Sequence, residues 1–271
     1  GVTYHFAEAV EYGHYWNGDI FVVSNGGDIT ITSITPESDT GTYMIDDGGA
    51  TGLRTVHGAM LQPSGNPVHG FDNVTLGFNL AENLDPGATG QPLTIAYTTY
   101  SGGASVVKAV SLTDLTMQRD RSAVDKFSVL TITPEVPREN AFRPPVVGSD
   151  KTSAYALADL DFTKLQSVAT VSGQPPISDF DYLKEATFVS WFDPMGGEEI
   201  RYLHPNAYHD GYGDYQLDEL MGAFMALHSD YSTAEKADLY AAVVQQGIDY
   251  AGAVAGGITY EAPGGHNSQY K

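Results

Sequence analysis

Phe127-Ser-Val-Leu-Thr-Ile-Thr133 runs straight into Pro134-Glu-Val-Pro-Arg-Glu-Asn-Ala-Phe-Arg-Pro-Pro145, and the junction between them decides the fold. The first stretch alternates with the two-residue period of a β-strand. The second carries four prolines, which withhold backbone donors and push their predecessors into extended conformations, so no regular element continues through it. Before this junction the strand period recurs; after it a helical period takes over. The expected layout is α+β and multidomain: an antiparallel β-sandwich over residues 1–135, a Pro-rich linker over 136–150 and a mainly α-helical domain over 151–271.

Working toward the N-terminus, strands are expected at Ile20–Val23, Ile29–Ile34, Val74–Leu80, Leu93–Tyr97, Ser105–Ser111 and Phe127–Thr133. Asn17-Gly18, Asn25-Gly-Gly27, Asp47-Gly-Gly49, Asp85-Pro-Gly87 and Ser101-Gly-Gly103 supply turn chemistry between them. Toward the C-terminus, Asp159–Leu165 and Asp179–Ala186 read as short helices. Leu217, Leu220, Met221, Phe224 and Leu227 share one helical face, and Ser232-Thr-Ala-Glu235 is a capping box opening a second helix. The short Ser229-Asp-Tyr-Ser connection predicts an antiparallel pair, the form in which an α/α toroid or solenoid begins.

Composition narrows the function classes. A chain of 271 residues that is 42% hydrophobic can bury a sizeable core. The net charge is −21 and no Lys or Arg precedes Arg54, so a phosphate backbone is repelled and nucleic acid is not an expected partner. Asp outnumbers Glu by 22 to 12, an excess suited to turns and caps, to calcium ligation, or to a surface adapted to salt; the three causes stay open. Zero Cys excludes disulfides and thiolate chemistry. No apolar run is long enough to span a membrane. The Cys-free, Tyr-, Gly- and Asp-rich composition and the start at Gly1-Val-Thr fit a processed, extracellular bacterial protein.

Candidate site residues fall into three groups. His209, Asp210 and Asp214, with His204 nearby, combine imidazoles and carboxylates in a Tyr-rich loop, a set that can hold a divalent metal or move protons; the alternative is a polar loop with Asp214 as helix cap. His266, Asn267, Tyr270 and Lys271 follow Gly264-Gly265. His266 and Tyr270 are candidates for proton transfer and Lys271 for neutralising a substrate carboxylate, against an ordinary surface turn. That polar cluster at the last residue predicts a continuation beyond Lys271. Tyr12, His14, Tyr15 and Trp16 precede the Asn17-Gly18 turn, and Tyr15 and Trp16 can stack on sugar rings or be half-buried strand aromatics. His57 and His69 read as hydrogen-bonded structural histidines in preference to ligands, and Asp46-Asp-Gly-Gly49 as a plain acidic turn in preference to part of a calcium site, since it lacks the alternating Asp/Asn loop and distal Glu of an EF-hand. Serine-hydrolase, phosphate-loop, dinucleotide and zinc-protease motifs are absent from the sequence.

Several stretches resemble a class of uncharacterised secreted marine-bacterial proteins: Tyr12–Asp19, Val56–Pro63 with His69–Asp72, Ala141–Lys151, Gln245–Tyr250, and the final Gly264-Gly-His266 with Lys271. Phe142-Arg-Pro-Pro followed by Gly148-Ser-Asp-Lys151 is the most specific of them. The resemblance implies no activity, but it singles out Arg143, Asp150, Lys151 and His266. A looser similarity is one of layout, a sandwich joined to an α/α toroid as in polysaccharide lyases. It implies a secreted protein that binds or cleaves an extracellular polysaccharide, as a lyase or hydrolase, with Arg143, Lys151 and Lys271 meeting substrate charge. The competing expectation is a structural protein of a surface layer, filament or particle, in which Gly-, Thr- and Tyr-rich strands pair between copies and acidic loops bind calcium.

Overall fold

The computed structural model describes residues 1–45, 49–62, 69–74, 78–114, 124–166, 175–188 and 221–257. Among these the chain is β-rich up to Thr133 and helical in its last part. The strands are β1 (Thr3–Phe6), β2 (Glu11–His14), β3 (Ile20–Val23), β4 (Ile29–Thr35), β5 (Asp39–Met44), β6 (Thr51–Val56), β7 (Ala59–Leu61), β8 (Leu93–Ile95), β9 (Ala104–Ser111) and β10 (Val124–Thr133). They form a three-stranded sheet in the order β1-β4-β8, a five-stranded sheet β2-β3-β10-β9-β7, and a two-stranded ribbon β5-β6.

The expected all-antiparallel arrangement is corrected at one place: β10 pairs with β3 in parallel, with Leu130 opposite Ile20 and Thr133 opposite Val23. Parallel strands are normally covered on both faces, and the paired stretches are buried accordingly, at Phe21, Val22 and Val23 of β3 and over Leu130–Thr133 of β10. One core cluster joins Ile29, Ile31, Ile34 and Ile95 of the three-stranded sheet to Val22, Val106, Leu130 and Ile132 of the five-stranded sheet. The opposite faces of β9 and β10 contribute Val107, Ala109, Val124 and Val129 to a second cluster with Met60, Phe71 and Val146. Each fully buried Ile or Leu of this kind stabilises the fold by about 1.5–3 kcal/mol.

Of the expected strand over Val74–Leu80, residues 75–77 lie outside the described residues. At its ends Val74 sits in a turn, Phe78 makes an isolated bridge to His69, and Leu80–Glu82 forms a single 3₁₀ turn capped by Asn79. The Asp85-Pro-Gly87 turn signal becomes a one-turn helix, α1 (Pro86–Thr89), with Asp85 as its N-cap. Close backbone approach explains Gly58: a Cβ there would lie 1.9 Å from the Gly70 carbonyl oxygen.

In the last part, 3₁₀ turns at Leu157–Asp159 and Phe162–Lys164 replace the short helix expected over 159–165. Helix α2 (Phe180–Phe188) and helix α3 (Thr233–Ala255) follow, with residues 221–227 helical between them. The capping box stands as its sequence predicts: the Ser232 hydroxyl accepts from the Glu235 amide, and the Ser232 amide donates to the Glu235 carboxylate. Phe180, Leu183, Ala223, Ala226, Leu227 and Leu239 close the helical core. No helix among the described residues is long and apolar enough to cross a membrane.

Candidate functional site

The proline-rich segment after β10 is packed. Ala141, Phe142, Arg143 and Val146 are buried, and residues 141–151 form a strap between the five-stranded sheet and α3. Its backbone is satisfied from both sides. Trp16 N donates to Ala141 O at 3.1 Å and Phe142 N to Tyr155 O at 2.9 Å. The Gln245 side chain on α3 accepts from Arg143 N at 2.9 Å and donates to Arg143 O at 3.0 Å. Prolines withhold donors, so these side-chain and long-range bonds take the place of a ladder.

Arg143 is the centre of this region. Its Nε donates to Asp19 Oδ2 at 2.7 Å, and its Nη1 and Nη2 donate to Asp249 Oδ1 and Oδ2 at 2.9 and 2.5 Å. Nη1 also donates to Pro144 O. Asp19 comes from the turn between β2 and β3, where Asn17 braces it, and Asp249 lies one helical turn after Gln245 on α3. Burial alone disfavours the guanidinium charge, but Asp249 and Asp19 more than offset it and hold Arg143 above its ordinary range. Gly252 makes the contact possible on the helix side: a Cβ there would sit 2.1 Å from Pro145 Cβ.

Lys151 closes the strap. Its Nζ donates to the carbonyls of Pro145 and Val146 at 2.6 and 2.8 Å, and its side chain is fully buried. Desolvation, reinforced by the Arg143 charge, pushes the amine down to about 7. Tyr15 is also inside, 3% exposed and packed on Phe21 with ring centroids 5.4 Å apart. Burial pushes its phenol up to about 12, against the opposing influence of Ser153, Arg143 and Thr131. The Tyr15, Thr131 and Ser153 hydroxyls are buried without a well-aligned protein hydrogen bond and lie near one another as a small polar cluster within the core. Trp16 is half-buried and meets Phe142 edge-on at 5.6 Å.

Four residues expected to contact substrate, Tyr15, Trp16, Arg143 and Lys151, are therefore brought together at the strap. The arrangement is a structural clamp. The charged ends of Arg143 and Lys151 are buried and partnered within the protein, Arg143 by Asp19 and Asp249 and Lys151 by the Pro145 and Val146 carbonyls. Asp19, Gln245 and Asp249 escaped the sequence reading. Their signal was present in the stretches Tyr12–Asp19, Ala141–Lys151 and Gln245–Tyr250, which converge here from three parts of the chain.

His57 and His69 are structural, as expected. His57 Nδ1 accepts from Ser111 N at 2.9 Å, and His69 Nδ1 accepts from Phe71 N at 3.1 Å. Two further buried ion pairs brace the β-rich part: Arg54 with Asp72, in a two-point contact of 2.9 and 2.6 Å, and Lys108 with Asp85 at 2.6 Å. The proton-transfer candidates His266 and Tyr270, the cation Lys271, the metal-ligand group His209, Asp210 and Asp214, and Asp46 of the acidic turn lie outside the described residues. Among the described residues no group of three or more His, Asp or Glu is placed to hold a metal ion. Comparison with protein-family models, with curated proteins and with solved structures finds no match in any of the three.

Proposed function

We propose that this chain is a structural subunit of an extracellular assembly, such as a surface layer, filament or particle, whose acidic copies associate with calcium between them. In this reading the two sheets that share the main core form a sandwich, and the helices behind the strap form the second body of the subunit. The observation that carries it is where the positive charge goes. Of the nine described Lys and Arg residues, five (Arg54, Lys108, Arg143, Lys151 and Lys236) are buried and serve the fold. Of the rest, Arg138 pairs with Asp159 and Lys184 with Asp181. What faces solvent is dominated by carboxylates, which favours divalent cations and disfavours an anionic polymer.

A second reading, handling of an extracellular polysaccharide, is favoured by one observation. Tyr12 on the edge strand β2 is 68% exposed, with half-buried Trp16 past the end of the same strand. Such aromatics suit a neutral glycan, and His266 and Tyr270 would then carry any cleavage. Electrophoresis through gels containing a neutral glucan or a polyuronate separates the readings. The structural reading expects unchanged mobility in both. Retardation by the neutral glucan that Tyr12→Ala abolishes would replace it with the second; retardation by the polyuronate would overturn the charge argument itself.

A further inference from the structure

Two carboxylate pairs in the β-rich part have both side chains completely buried: Arg54–Asp72 and Lys108–Asp85. They differ in chemistry. The Arg54 guanidinium keeps its charge and has no basic lone pair, whereas the Lys108 amine becomes a nucleophile on losing one proton. Lys108 is on β9, and its Nζ lies 2.6 Å from Asp85 Oδ2. A second amine hydrogen is held by the His57 carbonyl. On the far side of the carboxyl group, Asp85 Oδ1 accepts from the backbone amides of Gly87 at 2.8 Å and Ser38 at 3.1 Å. Two amides on one oxygen, with an amine against the other, is the arrangement that stabilises charge developing during addition to a carboxyl carbon. Asn83 fixes this geometry: its Oδ1 accepts from Asp85 N at 3.1 Å, and its Nδ2 donates to Ser38 Oγ at 2.9 Å.

We propose that Lys108 and Asp85 are joined by an intramolecular isopeptide bond, formed by the protein itself from this buried pair. A proton first crosses the short contact from the ammonium to Oδ2, leaving an amine and a carboxylic acid. The Nζ lone pair then adds to Cγ, and the C=O π pair moves onto Oδ1, between the Ser38 and Gly87 amides. One proton passes from nitrogen to the Oδ2 hydroxyl, the electron pair on Oδ1 re-forms the C=O bond as the Cγ–Oδ2 bond breaks, and water leaves. The product is a secondary amide. One water is lost and nothing is oxidised or reduced, so no reagent from outside is required.

Two physical effects favour the reaction. Desolvation lowers the Lys108 pKa and enlarges the share of neutral amine. Holding the reacting groups in contact supplies an effective concentration on the order of 10⁵ M or more. Burial then shields the amide from hydrolysis. The bond would tie β9 to the N-cap of α1 in a chain with no Cys to make a disulfide. The inference is independent of whether copies assemble.

The test is the denatured mass of the wild-type protein together with its tryptic map. The bond predicts a mass about 18 Da below that of the sequence, one water, and a branched peptide in which Lys108 resists trypsin and is linked to the Asp85 peptide. Lys108→Arg should restore the full mass. A full-mass wild-type chain cleaved normally at Lys108 overturns the proposal. So does the same mass loss found within a single linear peptide, as an internal succinimide would give. Both outcomes are read on the wild type, so the result stands even if the variant fails to fold.

Discussion

The Arg143 guanidinium grips the Asp249 carboxylate at two points, 2.9 and 2.5 Å, across 106 positions of sequence. Its Nε reaches Asp19, 124 positions away, so one side chain ties the β2–β3 turn, the strap and α3 together. Removing it leaves Asp249 buried without its cation, and an unpaired buried charge costs far more than the pair itself gains. Arg143→Met is expected to lower the free energy of unfolding by about 3–5 kcal/mol, measured by denaturant titration. Arg143→Lys, which keeps the charge but loses the fork, should fall between that variant and the wild type. A loss under about 1 kcal/mol for Arg143→Met would remove the clamp from the account.

Two glycines of α3 make a matched pair. Gly252→Ala puts a Cβ 2.1 Å from Pro145 Cβ, whereas a Cβ at Gly247 meets nothing within 4 Å. Gly252→Ala is expected to destabilise by about 1–3 kcal/mol through overpacking. Gly247→Ala should stabilise by up to about 1 kcal/mol through helix propensity. Thermal melts of the two variants decide the matter, and equal shifts would mean that the strap does not press on the helix.

Much of this was legible locally, and the rest was not. The alternation in Ile29–Ile34 and the apolar runs in β9 and β10 mark strands whose side chains fill the core, and Ser232 with Glu235 announces α3. Strands β1, β2, β5 and β6 are short and written largely in Thr, Tyr, Gly and charged residues, and β7 is only Ala59-Met-Leu61, too short to show a period, so their pairing comes from neighbours and not from their own pattern. The strap resisted local reading for a sharper reason. Proline rules report which donors are missing between residues 134 and 145, but not that Gln245 and Asp249 supply partners from a distant helix. Arg143 and Lys151 looked like surface cations because Arg and Lys are seldom fully buried, and only long-range pairing makes the exception affordable.

The Lys151 amine gives the fold a pH signature. Its folded pKa of about 7 lies below the ordinary 10.5, so between these values the unfolded chain binds more protons than the folded one. Stability contributed at this site therefore rises with pH through that window, by at most about 1.4 kcal/mol per pH unit. Lys151→Met abolishes the effect, so the wild type should gain on the variant between pH 7 and pH 10 in paired denaturant titrations. A constant difference over that range would show that Lys151 titrates normally.

Ser232→Ala removes the N-cap hydroxyl that accepts from the Glu235 amide. About 1 kcal/mol of stability should be lost. The Glu235 carboxyl, held below its usual range first by the Ser232 hydroxyl and then by the Ser232 amide, should titrate closer to an ordinary Glu. Carboxyl-detected NMR titration reads this directly, and an unchanged Glu235 would mean that the hydroxyl contact does not persist in solution.

The central claim, an acidic subunit that assembles with calcium, is tested most directly by native mass spectrometry of one sample before and after chelation. The account predicts defined multiples of the 29.0 kDa chain in millimolar calcium and a monomer once calcium is removed. A monomer under both conditions, at concentrations well above those of ordinary solution studies, would contradict it.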